Sequence, residues 1–454
     1  MRRYSFSVLL GALASCATAE FPDARDSSIV DRADVGAETS PATDAMDSAL
    51  RDGFGDTGLD AGTDGARDVG DAASDSPVDG AVDTVADVAS DTAADAGADI
   101  PTDAPRATAT LLDLGEAHSC ARMSDMTLRC WGENLRGQIG DGLTTDRLVP
   151  TLVPGLAVSA LGPGGNHTCV VLSTMAAQCW GYNLYGQLGD GTATSRPTPG
   201  AVMGLATATQ ISSGTYHSCA RLADGTARCW GRNVYGQLGD ATTVTRTIPV
   251  VVAGLSTVQE IRVGQNHTCA RLTDGSVRCW GYGLQGQLGN GTTATSMVPV
   301  VVTGVALATH LDVGNTHACA RLSTGTVRCW GYNISGQLGD ATTTARPASV
   351  AVTGIATATA VTTGGDHSCA RLAAGTLECW GRGLNGQLGD GGLANRPTSG
   401  PVLGLTGVTL VAAGGNHTCA LMSDGSARCW GLGTSGQLGD GTTTTRAVST
   451  VVMY

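Results

Sequence analysis

Fourteen cysteines in this chain come in pairs ten positions apart: Cys120 and Cys130, Cys169 and Cys179, Cys219 and Cys229, Cys269 and Cys279, Cys319 and Cys329, Cys369 and Cys379, Cys419 and Cys429. Paired cysteines do one of two chemistries, metal ligation or disulfide formation. Zinc sites space their cysteines by about two to four residues, far closer than here, and neighbouring pairs have no reason to converge, so disulfides are expected and no metal. A histidine stands two residues before the first cysteine of each pair, at 118, 167, 217, 267, 317, 367 and 417. Imidazoles invite an acid–base or metal reading. Placed once in every copy they instead suggest a repeated structural hydrogen bond, because a catalytic residue breaks repeat symmetry and has an orienting partner. Polar residues that do break symmetry, among them Asp312, His310, Asp366 and Glu378, form no recognisable catalytic spacing. The chain contains no Lys, which excludes the usual phosphate-cradling loop that ends in Lys. No enzyme and no cofactor are expected.

Recognition is the remaining chemistry, and it must lie where the copies differ, since the recurring residues serve the scaffold. Two positions after each Trp stand Glu133, Tyr182, Arg232, Tyr282, Tyr332, Arg382 and Leu432, and three residues further on Arg136, Tyr185, Tyr235, Gln285, Ser335, Asn385 and Ser435. Both sets are expected on one face. Tyr and Arg are enriched in binding hot spots, which selects Tyr182, Tyr185, Arg232, Tyr235, Tyr282, Tyr332 and Arg382 as the core of a partner-binding surface. The competing reading is that they are solvated loop residues packing on one another.

The elements that carry these residues follow from the repeat. Cys-Trp recurs at 130, 179, 229, 279, 329, 379 and 429, and each pair is followed by Gly-Gln-(Leu/Ile)-Gly. In one copy, His267 to Leu272 reads as a short strand, Thr273-Asp274-Gly275 as a turn, and Ser276 to Trp280 as the returning strand. A three-residue loop with Gly275 in the left-handed conformation makes Leu272 face Ser276 and sets Cys269 opposite Cys279. Cross-strand neighbours lie within disulfide reach. Met126 and Met175 replace that glycine in two copies, so those hairpins are expected to be strained or differently turned. Thr209-Gln210-Ile211, Glu260 to Val263, Pro249 to Val252 and Pro299 to Val302 read as further strands. Four short strands in each copy, repeated seven times, predict an all-β, seven-bladed β-propeller with one Trp per copy as filler. A β-helix is the alternative, but its coils are much shorter.

The string His-x-Cys-Ala-Arg-Leu-x-Asp-Gly-x-x-Arg-Cys-Trp-Gly, followed by Gly-Gln-Leu-Gly-Asp, resembles the repeat of the regulator of chromosome condensation family. The resemblance implies a seven-bladed propeller whose blades are offset from the sequence copies, with strands from both ends closing the ring. The intracellular namesake is an exchange factor for a small GTPase. This chain instead carries an export signal and paired cysteines, which ranks exchange activity last. A secreted bacterial propeller that inhibits β-lactamases is similar in fold, and implies that such a ring can act purely by binding another protein.

The N-terminal part has different physics. Arg2 and Arg3 precede the apolar run Val8 to Ala14, too short to span a bilayer permanently, and Leu13-Ala14-Ser15-Cys16 resembles a lipobox. Residues 1–16 are thus expected to be a signal with Cys16 as lipidation site; cleavage after Ala17 or Ala19 is the alternative. Residues 17–105 carry 22 acidic residues against four Arg, with Asp recurring every three or four positions from Asp52. Like charges at that spacing repel on a helix face, and few apolar residues offset ordering, so a disordered tether of roughly 50 Å r.m.s. span is expected. Residues 106–454 form the propeller. The formal charge of −13 therefore belongs mainly to the tether. Nucleic acid is not an expected partner, and the membrane is met only through the lipid. The composite expectation is a monomeric exported lipoprotein, at the outer membrane or cell surface or else secreted, that binds an unidentified protein. Alternatives are an inhibitor or sensor of an exported enzyme such as a β-lactamase, and a carbohydrate-binding module.

Overall fold

The computed structural model describes residues 107–454; the expected export signal with Cys16 and the expected acidic tether lie outside the described residues. Blade 1 consists of β1 (Ala109–Leu114), β2 (His118–Met123), β3 (Leu128–Gly132) and β4 (Arg147–Val153), hydrogen-bonded in that order as an antiparallel sheet. Six more four-stranded sheets follow over 158–201, 208–251, 258–301, 308–351, 358–401 and 408–451. The first strand of each blade packs against the first strands of both neighbours, β1 touching those of blades 2 and 7, so the seven line a common axis and the ring closes. This is a seven-bladed β-propeller. Each blade is one uninterrupted stretch of chain. The offset implied by the family resemblance, with strands from both ends sharing a blade, does not occur, because blade 1 begins and blade 7 ends with its own four strands.

Up-and-down connectivity sorts the connections onto two faces. Loops after the first and third strands emerge on one face, and turns after the second and fourth on the other. The second and third strands form the expected hairpin, with Cys269 opposite Cys279 and Arg271 opposite Val277. All seven cysteine pairs are disulfides with Cα separations of 4.0–4.1 Å. Met123 N–H bonds Thr127 O at the turn, and counting back in alternation places each cysteine at a non-hydrogen-bonded pair, where strands approach most closely. Met126 and Met175 adopt φ of 67° and 64° and keep the turn that Gly275 makes elsewhere. They are strained rather than differently turned, at about 1 kcal/mol each.

The apolar core lies between blades. Trp180 of blade 2, fully buried, packs with Cys120, Leu128, Ile139 and Val153 of blade 1. Its Nε1 donates to the carbonyl of Gln138 at 2.9 Å. Thr168 Oγ1 donates to that same carbonyl at 2.7 Å, and His118 Nε2 lies 2.8 Å from Thr168 Oγ1. With the hydroxyl proton committed to the carbonyl, the imidazole must be the Nε2–H tautomer and donate. The ring is closed by the same lock: Trp131 Nε1 and Ser119 Oγ both donate to Gln437 O, and His417 Nε2 bonds Ser119 Oγ.

One interface departs from this pattern. Blade 5 has Ala318 where its neighbours have Ser or Thr, so Gln287 O receives Trp330 Nε1 at 3.1 Å without a hydroxyl, and His267 Nε2 is buried without a partner. Ala318→Thr should complete the lock and raise unfolding free energy by about 1 kcal/mol in urea titration. Ala318→Val, which adds similar bulk without the hydroxyl, should not; equal gains from both would assign the effect to packing.

Candidate functional site

Asn134, in the loop after β3, shows how the third-strand loops are held. Its buried amide donates to Leu143 O and Thr145 O at 3.2 and 3.0 Å, and its Oδ1 accepts from Ile139 N at 3.0 Å. Asn183, Asn233 and Asn333 repeat the arrangement. The base of the loop is clamped by an ion pair in six blades, for example Asp240 with Arg246 at 3.0 Å and Asp340 with Arg346 at 2.8 Å. Blade 4 has Asn290 and Ser296 at those positions. Loops fixed this way present side chains with little ordering entropy left to lose on binding.

What they present differs around the ring. Arg136 lies over the ring of Tyr182 at 5.1 Å, and Tyr182 meets Tyr185 edge-on at 6.4 Å. Tyr185 meets Tyr216 at 5.4 Å. Arg232 sits over Tyr185, Tyr216 and Tyr235 at 5.4, 5.4 and 5.8 Å, and Tyr235 packs on Tyr282 at 4.9 Å. A continuous tyrosine and arginine strip thus crosses blades 1 to 4. The structure brings together five of the seven residues selected from sequence. Arg382 instead pairs with Asp366 at 3.7 Å, and Tyr332, anchored through its N–H to Thr316 O, joins no ring or cation contact of the strip. Two members lay outside the selection. Arg136 occupies one of the positions read from sequence. Tyr216 comes from the loop after the first strand, and its signal was symmetry breaking there, because the other copies carry Ala, Asn, Thr or Asp before the histidine.

A second feature was missed entirely. Leu135, Leu184, Val234, Leu284, Ile334 and Leu384 occupy the same loop position in six blades and are 46–63% exposed. At the centre of this face seven glycines converge from the first-strand loops. A Cβ on Gly414 would collide with the carbonyl oxygen of Gly115 and the imidazole of His417, so only glycine lets the blades meet so closely. Beside them Glu116 reaches across the axis, its Oε1 lying 3.4 Å from Asn315 Nδ2 of blade 5. Burial pushes its carboxyl up, Asn315 counteracts this, and the charge of Glu133 adds to it.

The fold and its repeated Trp-Gly-Gln lock define a propeller of the chromosome-condensation-regulator type. Models of the regulator of chromosome condensation (RCC1) repeat match residues 179–221, 224–271, 274–321 and 375–421, and a second such model 208–237, 258–287, 308–337 and 408–437. The chain belongs to the RCC1 repeat family. Human WBSCR16 is similar in structure, with a TM-score of 0.66 at 21% identity, over 72% of this chain and 94% of that one. Yeast RCC1 (Prp20), solved bound to Kap60, has a TM-score of 0.65 at 21% identity, over 76% and 85%. Prp20p from Saccharomyces cerevisiae gives 0.64 at 21%, over 77% and 88%. These likenesses establish the fold. No curated protein matches the sequence.

The seven repeat histidines are fully buried, and desolvation pushes His118 down to about 4 and the other six to about 3. They are neutral at physiological pH and spent on the interblade lock or, for His267, buried without a bond. Acidification therefore protonates them first in the unfolded chain, below its ordinary value near 6.5. Their contribution to stability is complete above that pH and lost as pH falls, at about 1.4 kcal/mol per histidine per pH unit. Asp113, Glu116 and Asp366, which burial pushes up, work the other way but are fewer. Thermal melting should therefore fall steeply from pH 7 to pH 5, and His267→Leu should reduce the slope by about one proton; a flat profile would mean that the histidines are not buried neutral.

Proposed function

We propose that this chain is a surface-tethered protein-binding module, an exported lipoprotein anchored through Cys16 that holds its propeller away from the membrane on the acidic segment. The observation that carries the reading is the continuous strip formed by Arg136, Tyr182, Tyr185, Tyr216, Arg232, Tyr235 and Tyr282, beside a ring of exposed aliphatic side chains. Tyrosine and arginine held over one another are rigid anchors, and exposed apolar surface bordered by polar groups is characteristic of interaction sites. The yeast relative bound to Kap60 supports protein binding as the use of such a ring. Seven disulfides point to an oxidising compartment, and among the described residues no helix is long and apolar enough to cross a membrane.

Capture of envelope proteins by the full-length chain, followed by titration with the captured protein, tests the surface. Tyr182→Ala, Tyr235→Ala and Tyr282→Ala together should weaken binding by roughly 30-fold or more without lowering the melting temperature. Tyr332→Ala, outside the strip, should leave it within about twofold. Unaltered affinity in the triple variant would remove the strip from the account. For the anchor, Cys16→Ala should move the chain from the membrane fraction to the soluble one; retention on the membrane would exclude lipid attachment at that residue.

A further inference from the structure

Below the glycine ring the axial channel widens into a cavity of about 350 Å³, at the lower end of the range of roughly 300–1,000 Å³ for small-molecule sites. Its walls are side chains at the third and fifth positions of the first strands, and they are unlike one another. Leu111, Ala160, Ala360 and Leu410, from blades 1, 2, 6 and 7, make an apolar wall. Facing it stand polar groups from blades 3 to 5. Glu260 accepts from Arg271 Nε at 3.1 Å, Arg262 at 3.2 Å and Leu311 N at 3.0 Å, and His310 Nε2 lies 3.8 Å away. Asp312 accepts from Thr363 N at 2.8 Å and Thr362 Oγ1 at 3.0 Å, with Arg262 Nε at 3.6 Å.

The third carboxylate of the channel differs. Asp113 projects from blade 1, and its one hydrogen bond is from the neighbouring Leu114 N–H at 3.0 Å. An ionised carboxylate has about four acceptor sites, so most of its capacity is unused. Arg262 is already shared between Glu260 and Asp312, Arg271 is held by Glu260, and Arg371 at the rim donates to Val408 O at 3.4 Å. His310 Nδ1, Arg262 Nε and Arg371 Nε are buried there without hydrogen bonds, although Arg262 Nε stays within ion-pair distance of Asp312.

We propose that this cavity binds a small organic ammonium ion, its charged nitrogen on Asp113 and its hydrocarbon body along Leu111 and Leu410. The glycine ring narrows the channel on the tyrosine face, so the ligand enters from the opposite face and the two sites are separate. A cation, rather than an anion or a neutral molecule, is selected because Arg262 is already ion-paired with both Glu260 and Asp312, whereas Asp113 accepts only one backbone N–H. Burial raises the Asp113 carboxyl to about 7, with Arg262 opposing and Asp312 adding to the shift. Desolvation holds His310 below the ordinary imidazole range, with Glu260 opposing. Binding should therefore strengthen about tenfold from pH 6 to pH 8 as Asp113 ionises, while an alkylammonium stays charged throughout.

Calorimetric titration of the full chain with n-hexylamine, 1-hexanol and hexanoate tests this. Expected are saturable hexylamine binding, at least tenfold weaker hexanol binding, none by hexanoate, and the rise with pH. Asp113→Asn should cost hexylamine at least tenfold, and Ala360→Trp, which fills the channel but keeps Asp113, should abolish binding. Absence of saturation by about 10 mM hexylamine, equal affinity for amine and alcohol, or unchanged affinity in a folded Asp113→Asn protein would each overturn the site. Because the ligand series is run on the unaltered protein, the result stands even where a variant does not fold.

Discussion

The carbonyl oxygen of the glutamine in each Gly-Gln-Leu-Gly turn is where neighbouring blades are tied together. A four-stranded sheet with two apolar faces cannot bury both by itself, and the tryptophan of the next blade supplies the missing partner. Apolar contact is non-directional. The indole N–H and the Ser or Thr hydroxyl, both aimed at that one carbonyl, give the contact a fixed register, and the buried histidine completes the set. The same lock joins blade 7 to blade 1, so closure needs no strand shared between the chain's ends.

The strip of tyrosine and arginine depends on the same turns. Gln187 binds Trp230 through its carbonyl and holds Tyr185 N–H through its side chain at 2.9 Å. The residue that couples blades therefore also fixes the backbone of a tyrosine on the face. Disulfides across the second and third strands stiffen the hairpin from which the loop departs. Variable side chains on an over-determined framework are what a binding surface requires.

Much of this was legible in the sequence. A three-residue turn sets Cys269 against Cys279 by counting alone, and once-per-copy placement assigned the histidines a structural bond before their partners were known. Tyr216 was not found, because it sits on a different loop from the tyrosines it touches. The exposed aliphatic positions escaped notice because one Leu per copy reads as core when burial is unknown. Asp312 and His310 stood out as symmetry breakers, yet their meeting with Glu260, Arg262 and Asp113 in one channel could not be read from positions 48 or more residues apart.

A single blade is encoded locally: strand, turn, register and cysteine pairing all follow from interactions within about 50 residues, and the copies can be counted directly. Tertiary structure decided what the blades do together. Which tyrosines form a strip, why Tyr332 and Arg382 lie outside it, and how Glu116 comes within reach of Asn315 depend on the angle at which seven sheets close around an axis. That angle is set by packing between blades, where contacts run between distant parts of the chain and leave no local periodicity to read.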